Sequence, residues 1–392
     1  MPRLSTSGPA AALPPSHTLR AGEQAAALRA AGVDVIDFSS SRPEDPAPPF
    51  LRAALRQAGD EGVNFLTATA GLPALRAALA RKLAKEHGIS AEADGEILVT
   101  VGAKHAVALA LQSLLAPGDG VILLDPCWVS YEPCVRLAGG VPARVGLRRL
   151  ADGRSVLDPA DLRAAMTTAT RLLLLNTPHN PTGAVFDEPT LRAVARCAEA
   201  VDAWILVDES FEKIVYPPAT HLSVAALPEG RGRTLTVQSF SKGYVMPGLR
   251  VGALIGPRPV IEQATLIQGH TVTCAPSQGQ RAALAALELP EEFFADMREA
   301  YRRKRDLVVN ELNRTPKVRC DLPEGAFYAF PDCSALHPSS VALAEHLLTE
   351  AAVATVPGVA FGERGEGHLR LTFTRSLEEI GRGLERIRKA LG

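Results

Sequence analysis

The stretch Thr234–Gly252 reads TLTVQSFSKGYVMPGLRVG, and its ending sets the direction for everything else. Thr234–Val237 is apolar and β-branched, the composition of a strand. The strand runs into Ser239-Phe240-Ser241-Lys242, and Arg250 follows eight residues after the lysine. A lysine amine at a strand end can condense with an aldehyde. Ser239, Ser241 and Arg250 can hydrogen-bond phosphate oxygens, the arginine in bidentate fashion. The combination suits a phosphate-bearing aldehyde. Read alone it is weak, because a lone lysine is far more often a solvated surface group.

Four upstream segments share this strand-then-polar-turn design. Arg171–Gly183 reads RLLLLNTPHNPTG: an apolar strand followed by a sharp turn in which Asn180 can donate to a ring oxygen. Ala203–Tyr216 reads AWILVDESFEKIVY and puts Asp208 at the end of an apolar strand. A carboxylate there is costly without a partner, and a protonated ring nitrogen is such a partner. Ile97–Leu111 reads ILVTVGAKHAVALAL. Gly102, Ala103 and Lys104 would stand where a strand gives way to a helix, whose first N–H groups bind anions. Asp125–Cys134 reads DPCWVSYEPC, with Trp128 placed to stack on a flat ring or, equally well, to fill a core.

Short apolar runs alternate with amphipathic stretches over the first three-quarters of the chain. Strands are expected at Glu96–Val101, Val121–Leu124, Arg171–Leu175, Ile205–Val207, Thr234–Val237 and Val251–Ile255. Helices are expected at Ala103–Leu115, Glu188–Ala203 and Arg258–Gln268. This is an α/β pattern with a mostly parallel sheet covered on both faces. After Leu289 the pattern changes to a long charged helix (Pro290–Asn313), short strands and a final helix (Leu377–Leu391). The expected division is an N-terminal arm and part of the small domain (1–45), a large domain (46–289) and a C-terminal α+β domain (290–392). Residues Met1–Pro15 read as an arm.

Composition excludes several classes. The formal net charge of the 392 residues is −1, which gives no pull toward nucleic acid or an anionic membrane. No apolar run approaches the ~18 residues of a membrane span, and the N-terminus lacks a signal-like apolar stretch, so a cytoplasmic protein is expected. The six cysteines form no C-x-x-C pair and the nine histidines no H-E-x-x-H, so no metal site is expected.

In order and spacing these segments resemble the class I/II aminotransferases, pyridoxal-phosphate enzymes of fold type I. The resemblance also takes in VIDFSSSRPE (Val35–Glu44), TAGLPALRAAL (Thr69–Leu79), EGAFYAF (Glu324–Phe330), VATVPGVAFG (Val353–Gly362) and HLRLTF (His368–Phe373), nearly the whole chain. It implies pyridoxal 5′-phosphate held as a Schiff base by Lys242, which also shuttles protons. It implies Asp208 on the pyridine nitrogen, Asn180 at the ring oxygen, and Trp128 on the ring face. Ala103, Lys104, Ser239, Ser241 and Arg250 would hold the phosphate. Arg370 would clamp the substrate α-carboxylate, and the protein would be a homodimer acting on an amino acid.

Three positions depart from that family. Phe211 stands where a tyrosine commonly donates to the ring oxygen. Leu66 stands where a tyrosine commonly reaches the partner's phosphate. Ser41-Arg42-Pro43 replaces G-x-P, narrowing the approach to the substrate carboxylate and bringing Arg42 near it, unless Arg42 is a solvated surface group. These changes leave two outcomes open: plain transamination, or a specialised β-elimination, decarboxylation or oxidative deamination. Two unrelated readings fail. Ser239–Lys242 fits S-x-x-K, but the S-D-N and K-T-G of a penicillin-binding serine enzyme are missing. A regulator of this family would carry an added DNA-binding domain, for which the chain has no room.

Overall fold

The computed structural model describes residues 13, 17–43, 47–151 and 153–392. The arm read at Met1–Pro15 lies outside the described residues apart from Leu13. The centre is a seven-stranded sheet. In chain order its strands are β1 (Ile97–Thr100), β2 (Gly120–Asp125), β3 (Val141–Gly146), β4 (Thr170–Asn176), β5 (Trp204–Asp208), β6 (Thr234–Ser239) and β7 (Gly252–Ile255). Their spatial order is β1-β7-β6-β5-β4-β2-β3. All neighbours are parallel except β7, which runs antiparallel to both β1 and β6.

The expected strands are all present, and their apolar runs explain why. Leu172–Leu175 of β4 and Ile205–Val207 of β5 are almost wholly buried, as strands covered by helices on both faces must be. Successive side chains point to opposite faces, so Leu98 joins one core layer while Ile97 and Val99 join the other. Strand β3 was not expected. Its sequence, VPARVG, buries only Val145, because it lies at the sheet's edge and has no continuous apolar run to reveal it.

Beyond the sheet, helices Glu291–Asn313, Ser340–Ala351 and Leu377–Leu391 pack around a three-stranded antiparallel sheet of Tyr328–Ala329, Leu369–Thr372 and Val356–Pro357. Ile36–Asp37 pairs in parallel with Val353–Ala354. Phe38 and Ile36 are buried in the same core as Leu384 and Ile387. The last helix starts at Ser376, whose hydroxyl accepts from Glu379 N at 3.2 Å, and carries Arg388 and Lys389 in its final turn. Both features favour a helix in that position.

Register decides what the sheet presents. Asn176 lies opposite Asp208, and Asp208 lies opposite Val237, two residues before Ser239. Three strands therefore end together, at the edge where open α/β sheets bind ligands. Because that alignment depends on filled layers, Leu173→Ala in β4 is expected to lower the free energy of unfolding by about 2–5 kcal/mol. Urea denaturation followed by far-ultraviolet circular dichroism measures it.

Candidate active site

A cavity of about 190 Å³ opens at the ends of β4, β5 and β6. Ser41, Ala103, Lys104, Trp128, Asn180, Asp208, Phe211, Ser239, Ser241, Lys242 and Arg250, singled out in the sequence, all line it. Tyr131, Asn176, Ser210, Pro247 and Tyr328 complete the wall.

Asp208 is 4% exposed and has no cationic partner among the described residues. Its Oδ2 accepts from the Tyr131 hydroxyl at 2.8 Å. Its Oδ1 accepts from Ser210 Oγ at 2.6 Å and Ser210 N at 3.0 Å. Burial still pushes its pKa up, against these hydrogen bonds. A carboxylate so placed can accept a cationic donor from a bound molecule.

Lys242 has its ammonium against the carbonyl of Ser41, 5.8 Å from the Phe211 ring centroid. Its pKa falls to about 8, first through burial, then through the positive charges of Arg370 and Arg250, with Asp208 acting in the opposite sense. A lysine neutral in part near physiological pH is a nucleophile.

One end of the cavity is lined by Ala103, the two serines and Arg250, with Gly102 preceding Ala103 in the chain. Gly102 has φ +77°, and a Cβ there would lie 2.4 Å from Arg250 Nη2, so glycine is what lets the guanidinium reach the helix start at Ala103. Arg250 itself sits at φ +52°, an uncommon conformation for a side-chain-bearing residue. It donates only to backbone carbonyls, Pro247 O at 3.0 Å and Val101 O at 3.4 Å. No carboxylate pairs with it among the described residues. Helix N–H groups, two hydroxyls and an unpaired guanidinium fit a phosphate.

Arg370 does not line the cavity. It is fully buried just behind the wall, donating to Asn180 Oδ1 at 3.4 Å and Ser39 O at 2.8 Å, with its guanidinium over the ring of Tyr328. Its Nε has no hydrogen-bond partner. Lys104 places its ammonium 5.0 Å from the Trp128 ring centroid and has no carboxylate partner among the described residues. Phe211 packs edge-on against Phe327 and Tyr328. Arg42 is exposed and lies outside the cavity wall. Leu66 is 73% exposed and likewise outside it.

Sequence reasoning did not assign Tyr131, Ser210, Asn176 or Tyr328. Asn176 donates to Asp208 O at 2.8 Å and accepts from Asn180 N at 2.8 Å, joining the two strand ends. Ser210 was findable, since a serine two residues after an aspartate commonly closes such a local turn. Tyr131 had no signal, because its partner lies 77 residues away.

The chain belongs to the family described as aminotransferase class I and II, whose pattern matches residues 33–387. It is an enzyme of the pyridoxal-phosphate-dependent aminotransferase kind. A probable aspartate/prephenate aminotransferase of Aquifex aeolicus is 38% identical over 385 residues, covering 97% of this chain and 96% of the other. An aspartate aminotransferase of Streptomyces avermitilis is 38% identical over 391 residues, covering 97% and 95%. Among solved structures, the aspartate aminotransferase of Thermus thermophilus with maleate superposes with a TM-score of 0.93 at 37% identity, covering 99% of this chain and 100% of that one.

The lowered pKa of Lys242 has a direct consequence in the cofactor-free protein. An amine reacts only when neutral, so acetylation of Lys242 is expected to rise through a midpoint near pH 8. Peptide mass spectrometry resolves it from ordinary lysines, whose midpoints lie near ~10.4.

Proposed function

We propose that this cavity holds pyridoxal 5′-phosphate through Lys242, and that the enzyme exchanges the amino group of an L-amino acid bearing a second carboxylate with a keto acid. The observation that carries the reading is Asp208, a buried carboxylate without a cationic partner among the described residues, sharing one cavity wall with Lys242, Ser239, Ser241 and Arg250. Bound there, the cofactor supplies an electron-withdrawing ring adjacent to the substrate's Cα. The rest of the chemistry belongs to the chain's own side chains.

Asp208 keeps its negative charge against the ring nitrogen and so holds a proton there, with Tyr131 and Ser210 fixing the carboxylate's orientation. Gly102, Ala103, Ser239, Ser241 and Arg250 bind the phosphate. Trp128 covers one ring face. Asn180 donates its side-chain amide to the ring oxygen, held in place through Asn176. Lys242 Nζ moves the proton at the substrate's Cα. Arg370, held just behind the wall by Asn180 Oδ1 and Ser39 O, takes the α-carboxylate by exchanging those bonds for it. Ser41 narrows the entrance from the N-terminal side.

The second carboxylate is assigned to Lys104. Its ammonium stands on the cavity wall over Trp128 without an anionic partner among the described residues. Relatives named aspartate aminotransferases, one solved with maleate, support a dicarboxylic substrate. A homodimer with paired sites accords with the exposed Phe65 and Leu66, at 56% and 73%, near the segment that contacts the partner in the family pattern.

The test begins with the purified enzyme, which is expected to show a visible band in the ~400 nm region that Lys242→Ala abolishes together with turnover. Lys104→Ala is then expected to raise KM for a dicarboxylic amino acid by about ten-fold, the worth of one charge-assisted contact, and to leave a neutral amino acid unaffected. Equal losses for both substrates, with weaker cofactor binding, would assign Lys104 to the phosphate instead.

Phe211 sets a second expectation. It offers no hydroxyl to the ring oxygen, so the oxygen's negative charge is less well stabilised and the linkage at Lys242 holds its proton to higher pH. Phe211→Tyr is expected to lower the pH at which the visible band changes, read by absorbance titration. An unchanged midpoint would mean that Asn180 alone satisfies the oxygen.

A further inference from the structure

Behind the cavity, on the opposite face of the same strand ends, lies a second polar cluster that no step above uses. Side chains alternate across a strand, so where Asp208 and Ser239 face the cavity, Glu209 and Gln238 face away. Glu209 is fully buried and Gln238 is 3% exposed. The backbone ladder between β5 and β6 ends at Glu209 N to Val237 O, 3.0 Å. A side-chain bond continues it one step further: Gln238 Nε2 donates to Glu209 Oε2 at 2.9 Å.

The centre of the cluster is Lys82, 7% exposed, at the end of helix Pro73–Lys82. Its ammonium donates to Gln238 Oε1 at 2.7 Å and to Glu212 Oε1 at 2.9 Å. A single π-helical turn, Leu83–His87, brings His87 Nε2 to 3.2 Å from Glu212 Oε2. Lys213 bonds Glu86 Oε2 at 2.7 Å, and His221 Nε2 lies 3.5 Å from Glu209 Oε2. Three contacts, at Glu209, Glu212 and Lys213, thus hold down the turn that carries Asp208 and Phe211. One of them also reaches Gln238, the neighbour of Ser239.

Stability does not account for such a cluster. Desolvating buried charges costs as much as their attraction returns, and apolar residues of similar size often do as well or better. What a buried ion pair does provide is direction, since each hydrogen bond fixes an angle as well as a distance. Glu86, His87 and Glu212 also approach one another closely enough to suggest a metal site. The ammonium groups of Lys82 and Lys213 already stand against those carboxylates, so the position of a cation is filled.

We propose that Lys82 is a positioning residue of the cofactor site, acting through Glu212 and Gln238 to set the spacing between Asp208 on one strand end and Ser239, Ser241 and Lys242 on the next. It touches neither substrate nor cofactor. This inference rests on the cofactor reading above, and the experiment separates the two.

The charge-balanced double variant Lys82→Met/Glu212→Leu removes the clamp without leaving a lone buried charge. Its cofactor-free form is expected to melt at or above the wild-type temperature. Its dissociation constant for pyridoxal 5′-phosphate, followed by quenching of tryptophan fluorescence, is expected to weaken by about ten-fold or more, as a site displaced by a fraction of an ångström would. The pH midpoint of its visible band should move, and kcat should fall more than KM rises. A folded double variant with wild-type affinity and an unmoved midpoint overturns the proposal. So does one that fails to fold or melts well below the wild type, because the cluster would then be a stability element. Absence of the visible band in the wild type would count against the cofactor reading itself, whereas a difference between wild type and variant bears on the clamp alone.

Discussion

One carboxylate governs this active site. Asp208 is withdrawn from water at the end of a buried strand, bonded by a tyrosine and a serine that lower its cost without neutralising it. Leaving an ionised group in such a place is expensive. The fold meets that expense with geometry: β4, β5 and β6 end in register, Asn176 ties two of those ends, and the cavity opens directly above them. Lys242 experiences the opposite field. Burial, and after it two guanidiniums, push its proton off, and the nearby carboxylate only partly restores it. A carboxylate whose charge is made costly and an amine that loses its proton readily are set in one small cavity by the same low dielectric.

The proposed anion cup follows from a backbone constraint rather than from charge alone. Arg250 can reach the start of helix Ala103–Leu114 only because residue 102 has no Cβ and because residue 250 accepts a left-handed conformation. Both features go against local conformational preference, and in the proposed reading both serve a bound phosphate.

Much of this was legible in the sequence. Strand ends announce themselves as apolar runs that stop at a polar residue, which is how Asp208, Asn180 and Ser239 stood out. The joint spacing of five segments carried the family, which residues 33–387 match. What stayed hidden depended on distance or on orientation. Tyr131 and Asp208 are strangers along the chain. Arg370 was expected to clamp the substrate α-carboxylate, and it sits one side chain behind the cavity wall, because its strand turns it onto Ser39 and Asn180. Arg42 carries its charge outward, since only its neighbours Ser41 and Pro43 face inward. Edge strand β3 lacked the apolar signature that burial on both faces imposes elsewhere.

The pairing of Ile36 with Val353 joins positions separated by 353 − 36 = 317 residues. On a ribosome the consequence is temporal. Phe38 and Ile36 emerge early but find their core only when the last helix has been made, roughly half a minute later at ordinary elongation rates of ~10 residues per second. The central sheet, whose strands lie between residues 97 and 255, has no such wait. Synthesis therefore orders the assembly: the sheet and the strand ends bearing Asp208 and Lys242 can condense first, and the segment carrying Ser39 and Ser41 joins them once Val353–Ala354 has been made.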